Sequence, residues 1–183
     1  MRSLILAGGK STRMGRDKCL FQVDGVECIQ RVAMTLAEAG LEPIRISVAS
    51  PDHIERYGRV LDSSLQVEWV VDSSPYAGPI EAILDALTDP FCNDPLQIAP
   101  VDVPWLELDL LVDLERGIGD CKVAMPVCSG RTHPLLALVR PEVAGLVGSS
   151  RRPLGEQFHG MDHVLVEARE EVVRNVNQPS DLE

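Results

Sequence analysis

Short apolar runs alternate with amphipathic segments through the first two-thirds of this chain, and that alternation leaves few architectures open. Ser3–Ala7, Ile44–Val48, Val67–Val71 and Leu96–Val101 read as strands. Between the first two, the segment Glu27–Ala39 carries Ile29, Val32, Ala33, Leu36 and Ala37 on one helical face and stops at Gly40. Pro51–Leu61 is a weaker helix. Pro79–Leu87 has proline at a first helical position, followed by Ile80, Ile83, Leu84 and Leu87 at helical spacing. Leu106–Leu114 reads as a further helix. Strand–helix alternation predicts an α/β fold, a mostly parallel twisted sheet with helices on both faces, because parallel neighbours need crossover connections. After Asp120 the rhythm changes. Lys122–Val127 and Leu135–Val139 read as strands separated only by Cys128–Pro134; a short helix follows Pro141, and His163–Glu167 is another strand. This reads as a small C-terminal strand/helix add-on closing over the sheet. The 183 residues suffice for one core.

The first strand runs into Gly8-Gly9-Lys10-Ser11-Thr12-Arg13-Met14-Gly15-Arg16-Asp17-Lys18. Glycines let a backbone approach a ligand closely. The segment holds four cations against one acid in a chain of net charge −11. Strand, glycine turn and cationic loop make a trap for phosphate, and the acidic remainder restricts it to a small phosphorylated ligand. Two other glycine loops are excluded. A P-loop needs glycine where Leu4 stands, and the dinucleotide fingerprint fails because Lys10 follows the Gly8-Gly9 pair. In open α/β sheets ligands bind beyond the carboxyl ends of the strands, where strand order reverses. Gly8-Gly9, Asp72 and Asp102 stand at three such ends. In a 3-2-1-4 order the cationic loop faces Asp102.

Composition narrows the class. The net charge of −11 speaks against nucleic-acid binding. No apolar stretch approaches the ~18 residues of a membrane span, and the opening apolar run is too short for a signal peptide. A cytoplasmic protein with no membrane contact is expected. The five cysteines, Cys19, Cys28, Cys92, Cys121 and Cys128, form no Cys-x-x-Cys pair and are expected as free thiols. Cys19 reads as a small buried apolar residue rather than a reactive one.

Leu6-Ala7-Gly8-Gly9, Arg13-Met14-Gly15 and Asp17-Lys18 resemble the signature loop of the molybdenum cofactor guanylyltransferases, within the wider group of nucleotidyltransferases. Asp72, Gly78-Pro79, Asp102 with Pro104, Gly130-Arg131 with His133-Pro134, and Asn175-Val176-Asn177-Gln178-Pro179 with Asp181-Leu182 continue the resemblance to the end of the chain. It implies a single Rossmann-like domain over 1–183, with 1–120 the nucleotide-binding part and 121–183 the acceptor-binding part. It implies Mg²⁺-dependent transfer of GMP from GTP to the terminal phosphate of molybdopterin, or of the molybdenum cofactor, with release of pyrophosphate. Leu6, Ala7, Gly8, Gly9, Lys18, Asp72 and Asp102 would bind the nucleotide. Lys18, Arg13 and Asp102 would be catalytic: Lys18 at the α-phosphate, Arg13 at the β- and γ-phosphates, and Asp102 holding the metal. Arg131 and His133 are the candidates for the acceptor, and the Arg151-Arg152 pair is a surface feature or a further phosphate contact. Cofactor-insertion proteins or molybdoenzymes would receive the product.

Three departures bear on the base. Val101 stands where the family usually has Cys, Ile80-Glu81-Ala82 replaces Leu-Ala-Gly, and the asparagine that usually follows the second strand is missing near Ala49. A cytidylyltransferase on the same acceptor, a sugar-phosphate nucleotidyltransferase and a non-catalytic nucleotide- or cofactor-binding partner stay open at this point. Leu6-Ala7-Gly8-Gly9 favours GTP, and the presence of both Lys18 and Asp102 favours an enzyme.

Overall fold

The computed structural model describes residues 2–8, 17–73, 78–147, 152–177 and 181. The strands are β1 (Arg2–Leu6), β2 (Gln22–Val23), β3 (Val26–Glu27), β4 (Ile44–Val48), β5 (Val67–Val71), β6 (Leu96–Pro100), β7 (Val123–Cys128), β8 (Arg131–Thr132), β9 (Leu138–Val139) and β10 (His163–Glu167). The helices are α1 (Cys28–Glu38), α2 (Pro51–Gly58), α3 (Pro79–Leu87), α4 (Leu108–Gly117), α5 (Leu154–His159) and α6 (Glu170–Val173). One sheet runs β10-β7-β9-β6-β1-β4-β5, with β8 paired to the end of β7. β5, β4, β1 and β6 are parallel neighbours. That is a 3-2-1-4 order, the one in which the cationic loop is expected to face Asp102, and it sets the end of β1 between the ends of β4 and β6.

Successive strand residues point to opposite faces, and the two faces hold separate cores. Ile5, Ile44, Ile46, Ala99, Ala124 and Leu138 pack against α1, α2, α4 and α6. Leu4, Ile98, Val123, Met125 and Val139 pack against α3, α5 and the 3-10 turn Pro141–Gly145. Helices on both faces are therefore observed. At the amino ends of the strands, away from the glycine turn, Arg2 and the buried Arg45 are tied to Glu68 and Asp89. Nothing in the apolar patterning announced this ion network.

The C-terminal segment departs from expectation. It does not close over the sheet; it extends it. β9 inserts antiparallel between β6 and β7, and β10 adds parallel to β7 at the edge. The expected strand Leu135–Val139 is shorter, because Pro134–Leu136 winds into a 3-10 turn and pairing begins at Leu138. Two hairpins, β2–β3 and β7–β8, escape the apolar pattern because each holds a two-residue strand. Both reverse through a pair of left-handed residues, Asp24-Gly25 (φ 52° and 78°) and Ser129-Gly130 (φ 50° and 76°). Paired positive φ is the hairpin geometry that matches strand twist, so Asp24-Gly25 was the available signal.

Candidate active site

A cavity of about 560 Å³ opens at the carboxyl ends of β1, β4, β5 and β6. Leu6, Ala7 and Gly8 reach it from β1, Asp72 from β5, and Asp102 from the turn after β6. Lys18 comes from a 3-10 turn, and Arg131 and His133 from the β7–β8 hairpin and the turn after it. Every expected site residue within the described part of the chain thus lines one space. Gly9 and Arg13 lie outside the described residues, as does Arg151. Arg152 is exposed and lines a separate groove with Lys122, Glu156 and Asp162. It is a surface residue, not part of this cavity.

The β1 turn is held by backbone bonds: Ala7 N donates to Ser47 O at 2.9 Å, and Val101 N to Leu6 O at 3.4 Å. Gly8 passes against Asp72. A Cβ at position 8 would meet Asp72 Oδ2, so any larger residue there would have to displace that carboxylate. Asp72 is fixed by its own N–H on Val48 O at 2.9 Å and by Ser47 Oγ, which donates to Oδ1. Burial raises the Asp72 pKa; Ser47 opposes this, and Asp85 and Glu81 add to it by repulsion. Glu81, one of the family departures, therefore acts directly on a site carboxylate. Gly78 caps α3 without a side chain, and Gly78, Pro79 and Ala82 line the cavity. The amino end of α3, the positive end of its helix dipole, therefore borders the cavity.

Lys18 is presented by a well-anchored turn. Asp17 caps it, accepting from Cys19 N at 3.2 Å and from the buried Tyr57 hydroxyl at 2.8 Å, with Arg56 3.2 Å away. Lys18 Nζ then lies 3.1 Å from Asp102 Oδ2 and 3.0 Å from Asn177 Oδ1. Cys19, behind it, is buried with Sγ on Ala7 O, and burial followed by the Asp17 charge pushes its thiol pKa far up. Cys28 is likewise raised, to about 11, chiefly by burial. All five cysteines are free, and these two are unreactive packing residues, as expected of Cys19.

The opposite wall has different chemistry. Arg131 pairs with Cys128 across the hairpin and is exposed. His133 N donates to Pro126 O at 2.9 Å. Burial, then the Arg131 charge, lowers the His133 pKa. His133 is thus a neutral imidazole at neutral pH beside a permanent cation. The buried Gln97 amide supports this turn, donating to Leu136 O at 2.9 Å and Ile98 O at 2.8 Å.

Sequence reasoning missed the contribution of the C-terminal segment. Val176 is fully buried against Phe21, Val23 and Cys28, and its N–H donates to Asp102 O at 2.8 Å. Asn175 lines the cavity and Asn177 bonds Lys18. Arg174 stacks 3.6 Å above the Trp105 ring, and Asp181 Oδ2 accepts from Asn177 N at 2.7 Å. The Asn-Val-Asn run was visible, but its folding back onto Asp102 was not.

Residues 3–170 match the family of the MobA-like NTP transferase domain. The chain belongs to that family. It is a nucleotidyltransferase by that membership. It is 27% identical over 191 residues to the probable molybdenum cofactor guanylyltransferase of Methanothermobacter thermautotrophicus, covering 97% of this chain and 95% of that one. The protein of the same description from Synechococcus elongatus is 31% identical over 153 residues, 78% of this chain and 73% of its own. Among solved structures, molybdopterin-guanine dinucleotide biosynthesis protein A from Archaeoglobus fulgidus superposes with a TM-score of 0.75 at 20% identity, covering 100% and 95% of the two chains. The 4-diphosphocytidyl-2C-methyl-D-erythritol synthase of Anaerococcus prevotii also gives 0.75, at 11% identity and 99% and 92% coverage. The fold is therefore the Rossmann-like one of nucleotidyltransferases. Among the described residues, no helix is long and apolar enough to cross a membrane.

Proposed function

We propose that this nucleotidyltransferase moves GMP from GTP to the terminal phosphate of molybdopterin or the molybdenum cofactor, releasing pyrophosphate, in the cytoplasm. The observation that carries this reading is the placing of two unlike walls on one cavity. One wall has Gly8, Asp72 and the Lys18–Asp102 pair; the other has Arg131 and a neutral His133. The first suits a nucleoside triphosphate and the second an oxygen-rich phosphomonoester. The names of the relatives agree with that acceptor.

Asp102 suits Mg²⁺. Its side chain is part-buried at the cavity wall with one oxygen on Lys18, and no cluster of three His, Cys, Asp or Glu forms a metal cage among the described residues. Such a donor set, one carboxylate with substrate oxygens completing the octahedron, is the mode Mg²⁺ favours. When bound, the ion would neutralise charge on the departing pyrophosphate. Lys18, held by Asp102 and Asn177, stands ready for charge that builds on the α-phosphate as the new P–O bond forms and the bond to pyrophosphate breaks. The acceptor phosphate is already ionised, so no protein nucleophile or general base is required. Arg131 supplies the charge that holds it, and His133 a directional hydrogen bond.

Direct competition tests the reading: equal GTP, CTP and ATP with molybdopterin, following nucleotide incorporation and pyrophosphate release. GMP transfer should exceed CMP and AMP transfer by about tenfold or more, because a base that leaves a buried site group unpaired loses ~1–3 kcal/mol. Equal GMP and CMP incorporation would remove the guanine specificity and leave the phosphate chemistry standing. Absence of transfer from any nucleotide would remove the acceptor.

A further inference from the structure

Outside the cavity, two of the four histidines meet. His159 ends α5 and His163 opens β10; His159 is exposed and His163 partly so. Nδ1 of His159 faces Nε2 of His163 at 3.3 Å. Their rings lie at 89° with centroids 4.9 Å apart. The outward nitrogen of each ring has its own partner. His163 Nδ1 is 2.9 Å from Met161 O, and His159 Nε2 is 3.4 Å from Thr132 Oγ1.

The Met161 carbonyl can only accept, so His163 carries its proton on Nδ1 and turns a lone pair toward His159. An imidazole tied back through its other nitrogen to a backbone carbonyl is the usual arrangement of a metal-ligating histidine. The spacing fits as well: two imidazole nitrogens on one tetrahedral ion at ~2.0–2.1 Å stand ~3.3–3.4 Å apart.

The geometry points to a binding site for a divalent transition-metal ion of the zinc, cobalt and nickel class between His159 Nδ1 and His163 Nε2. Among the described residues no third His, Cys, Asp or Glu completes a cluster, so water fills the remaining positions and the site is open. Imidazole pairs suit these ions and not Mg²⁺, which separates this site from Asp102 by chemistry as well as by place.

The site bears on the cavity through Thr132, which lines it between Arg131 and His133. Without the ion, His159 uses its Nδ1 proton toward His163, and its bare Nε2 accepts from the Thr132 hydroxyl. With the ion on Nδ1, the proton must sit on Nε2 and is donated to Thr132 Oγ1. The Thr132 hydroxyl proton is then free to face the cavity. Occupancy thus converts Thr132 from acceptor to donor toward whatever anion binds beside Arg131.

The test needs no turnover and is independent of the acceptor assignment. Co²⁺ is titrated into the purified full chain with excess Mg²⁺ present. One Co²⁺ should bind per chain with d–d absorption and no thiolate charge-transfer band. His159→Gln and His163→Gln should each raise the dissociation constant at least tenfold. Zn²⁺ should protect both histidines of the unsubstituted protein from carbethoxylation. Unchanged affinity in either variant, a thiolate band, or unprotected histidines would overturn the site.

Discussion

The two walls of the cavity are built by different means. Gly8, Asp72 and Asp102 stand beyond the carboxyl ends of the parallel strands β1, β5 and β6; β1 and β6 have neighbours on both sides, and β5 is the edge strand beside β4. Arg131 and His133 hang from a two-residue strand, a left-handed turn and a 3-10 turn, braced by one buried glutamine. The first wall is a by-product of the sheet and is rigid because the core is. The second is an attachment whose position depends on a few polar contacts. Nucleotidyltransferases that share a fold while acting on different acceptors need this division, since an acceptor wall can be rebuilt without disturbing strand order.

Substitutions can break or sharpen that contrast. The largest effect is expected at Asp102. Asp102→Asn keeps the shape and removes the charge, and Mg²⁺-dependent turnover should fall by ~10³ or more while the circular dichroism spectrum stays the same. Full activity at ~1 mM Mg²⁺ would make Asp102 a turn residue. Lys18→Ala should lower turnover ~10²–10³-fold at saturating substrates with a much smaller change in GTP binding. Turnover within threefold of the unsubstituted enzyme would remove Lys18 from the chemistry.

The other wall should respond in a different parameter. Arg131→Ala with His133→Ala should weaken molybdopterin binding about tenfold or more, from the loss of a charge-assisted hydrogen bond, and leave GTP affinity unchanged. Loss of GTP affinity with acceptor binding intact would exchange the roles of the walls. The smallest effect concerns stability. Because the folded-state pKa of Asp72 is raised, the native protein binds its proton more readily than the unfolded chain does. Stability is therefore lost as pH rises from the ordinary carboxylate pKa through the raised one. Asp72→Asn should raise the melting temperature at neutral pH, and the gain should vanish in acid where both states are protonated. A loss at neutral pH that vanishes in acid would mean that Ser47, not burial, governs this carboxylate.

The legibility of these walls differed for the same reason that their construction did. Long apolar strands and helices of three turns repeat often enough to show their period, so the four parallel strands and the three strand-end residues were visible in the chain. Short hairpins leave no period to read. β8 was hidden between two longer runs, and only Arg131 within it and His133 just after it stood out by chemistry. Ser47 sat unnoticed within an apolar strand, although it holds Asp72. Tyr57 was part of a weak helix, with nothing to say that its hydroxyl would anchor the cap of the Lys18 turn.

The sequence by itself determined the class of sheet and the place of Gly8, Asp72 and Asp102 beyond strand ends, because both depend on local periodicity. Only the tertiary structure decided the order of the strands, that the C-terminal strands extend the sheet, that Gly8 lies against the Asp72 carboxylate, and that Asn177 returns across 159 positions to Lys18. Those are contacts between segments far apart in the chain. They are selected by which apolar faces can be buried together, and that is a property of the whole molecule rather than of any stretch of it.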